Sequence, residues 1–224
     1  MDVQKRIVTV LSATQVIGSL GVGAGLTIGA LLVKDITGST GWAGLATVTQ
    51  VIGAATVTVP LAKLAARIGR RPALATGWSL GCLGAFICIR AAIADSLPLV
   101  LLGLALFGVS TATSLQARFA AADRAAPESV GRSLALVVWA GTIGAVIGPN
   151  LVEPGATVAH RLGIPPLAGP MVFSMAGFAI AAIITLALLR PDPLEESLGR
   201  VVASIVQLYG IGTCVITVGS YQHN

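Results

Sequence analysis

Long apolar stretches constrain the fold of this chain more than any other feature. A helix needs roughly 20 mostly apolar residues to cross the hydrocarbon core of a bilayer. Six stretches of this kind contain no Asp, Glu, Lys, Arg or His, namely residues 7–33, 42–62, 72–89, 97–116, 133–151 and 168–189. Because lipid offers the backbone no hydrogen-bond partners, each stretch is predicted to be a helix. We therefore expect an all-α membrane protein, a bundle of six transmembrane helices over residues 1–190.

The composition excludes an ordinary soluble domain. Hydrophobic residues make up 55% of the 224 residues and charged residues only 10%, whereas soluble domains carry about 25% charge. The net charge of +5 lies in the connections between the spans, so it predicts membrane topology and no nucleic-acid partner. The three cysteines, Cys82, Cys88 and Cys214, lack the spacing of a metal site. We expect no metal and no cofactor, and the lipid bilayer is the first partner.

The distribution of basic residues predicts the orientation. If the N-terminus is cytoplasmic, 11 of the 14 Lys and Arg residues fall in cytoplasmic segments. The remaining three are Lys34, Arg90 and Arg161. Cytoplasmic segments of membrane proteins are enriched in Lys and Arg. We therefore expect a multi-pass protein of the cell membrane with a cytoplasmic N-terminus.

The last part of the chain, residues 191–224, is a tail of uncertain structure. Within it, residues 201–219 are uncharged and form a candidate seventh span, although Ser204, Gln207, Thr213 and Thr217 weaken that prediction. The tail is also poor in Ala compared with the sequence before it. Such a change in composition is typical of an out-of-frame tail.

A short basic hinge separates the second and third spans. It reads Leu-Ala-Ala-Arg-Ile-Gly-Arg-Arg over residues 64–71, and its candidate functional residues are Arg67, Gly69, Arg70 and Arg71. Glycine permits a sharp turn between two helices, and arginine can bond to helix carbonyls or to an acidic partner. The hinge is therefore a candidate gate at the cytoplasmic surface. The alternative is a simple positive anchor that fixes topology.

The fifth span ends in a second motif, Gly-Ala-Val-Ile-Gly-Pro over residues 144–149. Gly144 and Gly148 thin one face of the helix, and Pro149 removes a backbone donor and predicts a kink. A kinked helix with a thin face suits a moving element. The alternative is a proline that simply ends a membrane helix.

The hinge resembles the signature loop between helices 2 and 3 of the major facilitator superfamily of transporters. The pattern of that loop is Gly-x-x-x-Asp-Arg/Lys-x-Gly-Arg-Arg/Lys. Residues 67–71 match it, while Ala62 and Ala66 stand at the first Gly and the Asp positions. Asp123, in another cytoplasmic loop, is a candidate replacement for the missing acid. The motif at 144–149 is similar to the helix-5 motif of exporters of the antiporter type, without its trailing Gly-Gly.

The resemblance implies a fold and an activity. Members have twelve helices in two halves, and each half is a 3+3 inverted repeat. This chain corresponds to the N-terminal half. It would transport a small solute by alternating access, as an exporter, together with a second half-transporter chain or a second copy of itself. Helices 1 and 4 line the cavity in the family, and the polar candidates for substrate contact inside the spans are Gln15, Gln50 and Gln116.

Other functions stay open at this stage. Polar residues in membrane helices often bond a neighbouring helix instead of a substrate. The chain could also be a truncated or frameshifted remnant that does not transport, or a six-helix module that assembles with another chain. An enzyme is not expected: the serine-hydrolase string Gly-x-Ser-x-Gly at 77–81 lies within an apolar helix, where its strand-to-helix turn cannot form.

Overall fold

The computed structural model describes residues 3–123 and 127–189, and these ranges are helical apart from short turns. The α-helices are α1 (Val3–Thr37), α2 (Ala43–Ile68), α3 (Arg70–Ile93), α4 (Leu97–Ala122), α5 (Val130–Ile147), α6 (Val152–Leu162) and α7 (Gly169–Leu188). Within the described ranges, six spans are long and apolar enough to cross a membrane. The expectation of six spans is thus confirmed. The candidate seventh span lies outside the described residues.

The fifth span differs from the sequence-based prediction. We expected a helix over 133–151 followed by a loop, but the fifth span runs from Val130 to Leu162. It consists of α5, a 3-10 turn at Gly148–Leu151, and α6. Pro149 lies in that turn and Pro154 in the first turn of α6, where a missing backbone N–H costs little. The prolines therefore interrupt the helix without ending it.

Helix α1 is longer than the apolar stretch from which it was predicted, because it includes charged residues at both ends. This helix begins before Lys5 and continues past Lys34, whereas the stretch without charge covers only residues 7–33. Long basic side chains at helix ends can reach the interface while their stems stay in apolar surroundings. The limits of the apolar stretches therefore understate the lengths of the helices.

The bundle has a central group of helices and two flanking spans. Helices α1 and α3 each pack on α4 and α7, while α2 packs mainly on α4 and α5 mainly on α1. The centre holds the largest fully buried side chains of the described residues, Trp78, Phe107 and Phe178. The Phe178 ring stacks on Trp78 and meets Phe107 edge-on, with centroid distances of 5.7 and 5.2 Å.

Side-chain hydrogen bonds show which helix ends lie together. The Gln4 Nε2 near the start of α1 donates to the carbonyl of Ala121 at 3.3 Å and to the Ser133 Oγ at 3.5 Å. The start of α1, the end of α4 and the start of α5 therefore meet on one side of the bundle. We call this side the basic end, because it also carries Lys5, Arg70 and Arg132.

Candidate functional site at the basic end

The turn between α2 and α3 depends on a single glycine. Gly69 has φ 97° and ψ 164°, a region that residues with a Cβ rarely adopt. Its N–H donates to the Ala65 carbonyl at 3.0 Å and so caps α2. Pro72 lies in the first turn of α3, where no intrahelical bond to its nitrogen is needed. The backbone therefore changes direction at Gly69 alone, and Arg70 and Arg71 lie at the start of α3.

Arg70 joins the start of α3 to the end of α4. Its Nε donates to Asp123 Oδ2 at 2.8 Å and its Nη1 donates to Gln116 Oε1 at 2.9 Å. The side chains of Arg70 and Asp123 are only 16% and 19% exposed, so water screens this ion pair less than it would a surface pair. A charge-assisted hydrogen bond contributes about 1.5–3 kcal/mol.

Helix dipoles make the pairing of Arg70 with Asp123 more important for stability. An arginine at a helix N-terminus and an aspartate at a helix C-terminus are each unfavourable next to the helix dipole. Arg70 and Asp123 occupy these two positions. Because each charge offsets the other, loss of one leaves its partner in an adverse field. The pair is therefore coupled to the close approach of α3 and α4.

Arg71 makes a different contact. Its Nε donates to the carbonyl of Leu186 at 2.8 Å, and its Nη2 donates to the same oxygen. The last carbonyls of a helix lack intrahelical partners, and a cation is favourable beside them. Arg71 therefore caps the end of α7. Together the two arginines tie α3 to α4 and α7, whereas Arg67 lies exposed on the last turn of α2.

The carboxylate that pairs with Arg70 belongs to Asp123, the residue named from the sequence as a candidate replacement for the Asp of the signature pattern. Ala66, at the Asp position of the signature pattern, is exposed on α2. Asp123 supplies the carboxylate from the end of α4. No sequence pattern signals the Arg71 contact, because its acceptor is a backbone carbonyl.

The three glutamines predicted as substrate contacts are all buried, and each contacts a different neighbour. Gln116 accepts the bond from Arg70. Gln15 is fully buried and donates to the Ser114 Oγ, while its Oε1 has no partner among the described residues. Gln50 is 5% exposed and faces Gly29 of α1. The sequence did not single out Ser114, since a serine in an apolar helix carries no specific signal.

The glycines of the fifth span form a close seam with α1. A Cβ at Gly144 would collide with the carbonyl oxygen of Val16, and a Cβ at Gly148 would lie 2.7 Å from that of Leu20. Small residues permit such close approach of helix backbones in lipid. We call this contact the α1–α5 seam.

Gln15 lies beneath the same seam. A Cβ at Gly141 would lie 3.1 Å from Gln15 Nε2, so α5 packs directly over this side chain. The amide of Gln15, whose Oε1 has no partner among the described residues, is therefore next to the backbone of α5.

Known proteins resemble this chain along most of its length. A family model described as Major Facilitator Superfamily matches residues 11–211. An uncharacterized MFS-type transporter of Bacillus subtilis strain 168, YddS, is 40% identical over 193 residues, covering 86% of this chain and 44% of the relative. A second from the same strain, YdeG, is 37% identical over 190 residues, covering 85% and 44%.

The chain thus spans about half the length of the curated relatives it matches. No solved structure matches it significantly. The family model covers most of the chain and includes the hinge, the end of α4 and the α1–α5 seam. The chain therefore belongs to the Major Facilitator Superfamily.

Proposed function

We propose that this chain forms one half of an alternating-access transporter that exports a small solute across the cell membrane, with its basic end in the cytoplasm. The observation that carries the proposal is the Arg70 cluster, in which one side chain links α3 to Asp123 and Gln116 of α4. It lies at the hinge that resembles the signature loop of the family.

The cluster suits a latch. Alternating access needs two arrangements of similar energy, and a ligand shifts the balance by binding one of them better. Arg70 and Asp123 stabilise the arrangement in which the ends of α3 and α4 are close. Their bonds can exchange for water at the basic end without unfolding a helix, so a moderate binding energy can open the latch.

The α1–α5 seam suits the moving part. Gly144 and Gly148 bring the backbone of α5 close to that of α1, while Val137 of α5 belongs to a buried cluster with Ile7 and Leu11 of α1. Gln15 lies directly under this seam, and its Oε1 has no partner among the described residues. We assign Gln15 to substrate contact in the open arrangement and Gln50 to a second, supporting contact with the substrate. We assign Gln116 both to the latch and to the substrate cavity lined by α1 and α4.

A second six-helix unit completes the transporter in this proposal, as a separate chain or a second copy. Two observations support it: the relatives are about twice as long, and the flanking spans leave apolar faces exposed. On α2 these are Val48, Val51, Ile52 and Val59, and on α5 they are Trp139, Ile143 and Val146. A site between two units would have only one wall in a single unit.

The same half-length coverage favours one competing function, a remnant or module that does not transport. Reconstitution into vesicles distinguishes the two. The 224-residue chain would be assayed alone and together with the remaining half of the YddS relative, against a panel of amphipathic dyes. We expect saturable, gradient-driven flux only with both units. Flux by the chain alone would establish a homodimeric transporter, and no flux with either sample would refute the transport proposal.

The latch is tested in the flux-competent assembly. Arg70→Ala removes both bonds to α4 and should reduce the transport rate strongly, by tenfold or more if a bond worth about 1.4 kcal/mol is lost. Membrane insertion should be unchanged. Lys63→Ala is the control, because Lys63 is an exposed cation near the end of α2. Equal transport rates for wild type and Arg70→Ala would leave the hinge as a topology anchor.

A further inference from the structure

A cavity at the basic end lies apart from the Arg70 cluster. It has a volume of about 680 Å³ and lies between the start of α1 and the start of α5. Such a volume is within the range of small-molecule sites, about 300–1,000 Å³. Its lining residues are Gln4, Lys5, Val8, Thr9, Ser129, Arg132, Ser133 and Leu136.

The charge of the cavity is one-sided. Lys5 and Arg132 contribute two cations from different helices, and no carboxylate is among the described residues that line it. Both cations are exposed and belong to none of the ion pairs found within residues 3–123 and 127–189. Ser129, Arg132 and Ser133 also bring the first turn of α5 to the cavity, where the helix dipole adds partial positive charge. The cavity therefore attracts an anion.

The position of the cavity narrows the choice of anion. It lies at the start of two candidate membrane spans, where we expect the headgroups of a surrounding bilayer. Val8 and Leu136 form an apolar wall, and Leu136 is half-exposed on the outer face of α5. A soluble anion would gain nothing from these side chains, whereas a phospholipid can place its phosphate near the cations and its acyl chains along the apolar wall. Basic pockets between membrane helices are known to hold anionic headgroups.

We propose that this cavity binds the headgroup of an anionic phospholipid, with Lys5 and Arg132 on either side of the phosphate. The bound lipid would bridge α1 and α5 at the basic end, where Gln4 and Ser133 already link the two helices. This inference does not depend on transport, because it concerns the described helices alone.

Native mass spectrometry of the purified 224-residue chain tests this assignment. The chain would be loaded with equal amounts of phosphatidylglycerol and phosphatidylcholine, and the retained lipid measured. We expect retention of phosphatidylglycerol over phosphatidylcholine. Lys5→Gln and Arg132→Gln should each reduce that retention about fivefold, as expected for one cation near an anionic lipid surface. Both side chains are exposed, so neither change should disturb folding, which a melting curve would check.

Lys63→Gln is the matched control, since it removes the same charge from the same end of the bundle outside the cavity. It should leave retention nearly unchanged. Equal losses in Lys63→Gln and Lys5→Gln, or no preference for phosphatidylglycerol in the wild type, would overturn the proposal. Release of the lipid by excess glycerol 3-phosphate would also overturn it, because the cavity would then be a site for soluble phosphate.

Discussion

The central helices and the two flanking spans are alike in hydropathy and different in burial. In the most apolar part of α1, α3 and α4, 56% of residues are buried and in that of α7 39%, against 22% in the second span and 28% in the fifth. Large aromatic side chains pack at the centre, while the fifth span meets α1 through glycines and the buried side chain of Val137. The difference shows that apolar residues serve two purposes here, packing within the unit and contact with something outside it.

This difference has a physical basis in lipid. Helices in a bilayer gain little from the hydrophobic effect when they associate, so packing, hydrogen bonds and small residues decide how tightly they hold. The central helices have interlocking aromatic rings and the Arg70 and Arg71 contacts. The fifth span has a thin glycine face towards α1 and a broad apolar face away from it. It is therefore the better candidate for motion and for contact with a second unit.

The largest effect on stability is expected when an aromatic side chain of the central helices is replaced by alanine. The same kind of replacement on a flanking span should have little effect. Phe107→Ala removes a fully buried ring at the centre and should lower the free energy of unfolding by about 3–5 kcal/mol. Trp139→Ala removes a larger ring that is 70% exposed on α5 and should change it by less than about 0.5 kcal/mol. Unfolding by SDS titration in mixed micelles measures both. Similar losses of unfolding free energy in the two variants would contradict the distinction between central helices and flanking spans.

An intermediate effect is expected at the α1–α5 seam. Gly144→Ala places a methyl group against the Val16 carbonyl, and the backbone must move to relieve it. Overpacking of this kind costs about 1–3 kcal/mol, measured by the same titration. Gly131→Ala on the same helix is the control, because nothing lies within 4 Å of its added methyl group. If Gly144→Ala were as stable as Gly131→Ala, the seam would not be close-packed.

Much of the fold could be predicted from the sequence because lipid restricts what a chain can do. Uncharged stretches of membrane length have to be helices, and the six spans follow from that rule. Helix α6 was missed because residues 152–162 contain Glu153, His160 and Arg161, which look like a loop. Helical spacing places them on an amphipathic helix instead, which ends at Gly163 with φ 67°.

The candidate site was predicted less completely. The special backbone of Gly69 and the close approach at Gly144 and Gly148 follow from glycine's lack of a side chain, so sequence patterns could locate them. Partners could not be assigned in the same way. Arg70 reaches Asp123 across 53 positions of sequence, and Gln15 meets Ser114 across 99, because helix packing sets these contacts and local spacing does not.

The central claim is that the exposed faces of α2 and α5, and not the exposed face of α7, contact a second six-helix unit. It is tested by lipid accessibility at three exposed positions, Val51 on α2, Trp139 on α5 and Ile183 on α7, which are 61%, 70% and 64% exposed. Each would carry a single fluorophore-labelled cysteine in a chain without its native cysteines. Quenching by spin-labelled lipid would be measured with and without the remaining half of the YddS relative. The account predicts reduced quenching at 51 and 139 and no change at 183; unchanged quenching at all three positions, or protection at 183 alone, would contradict it.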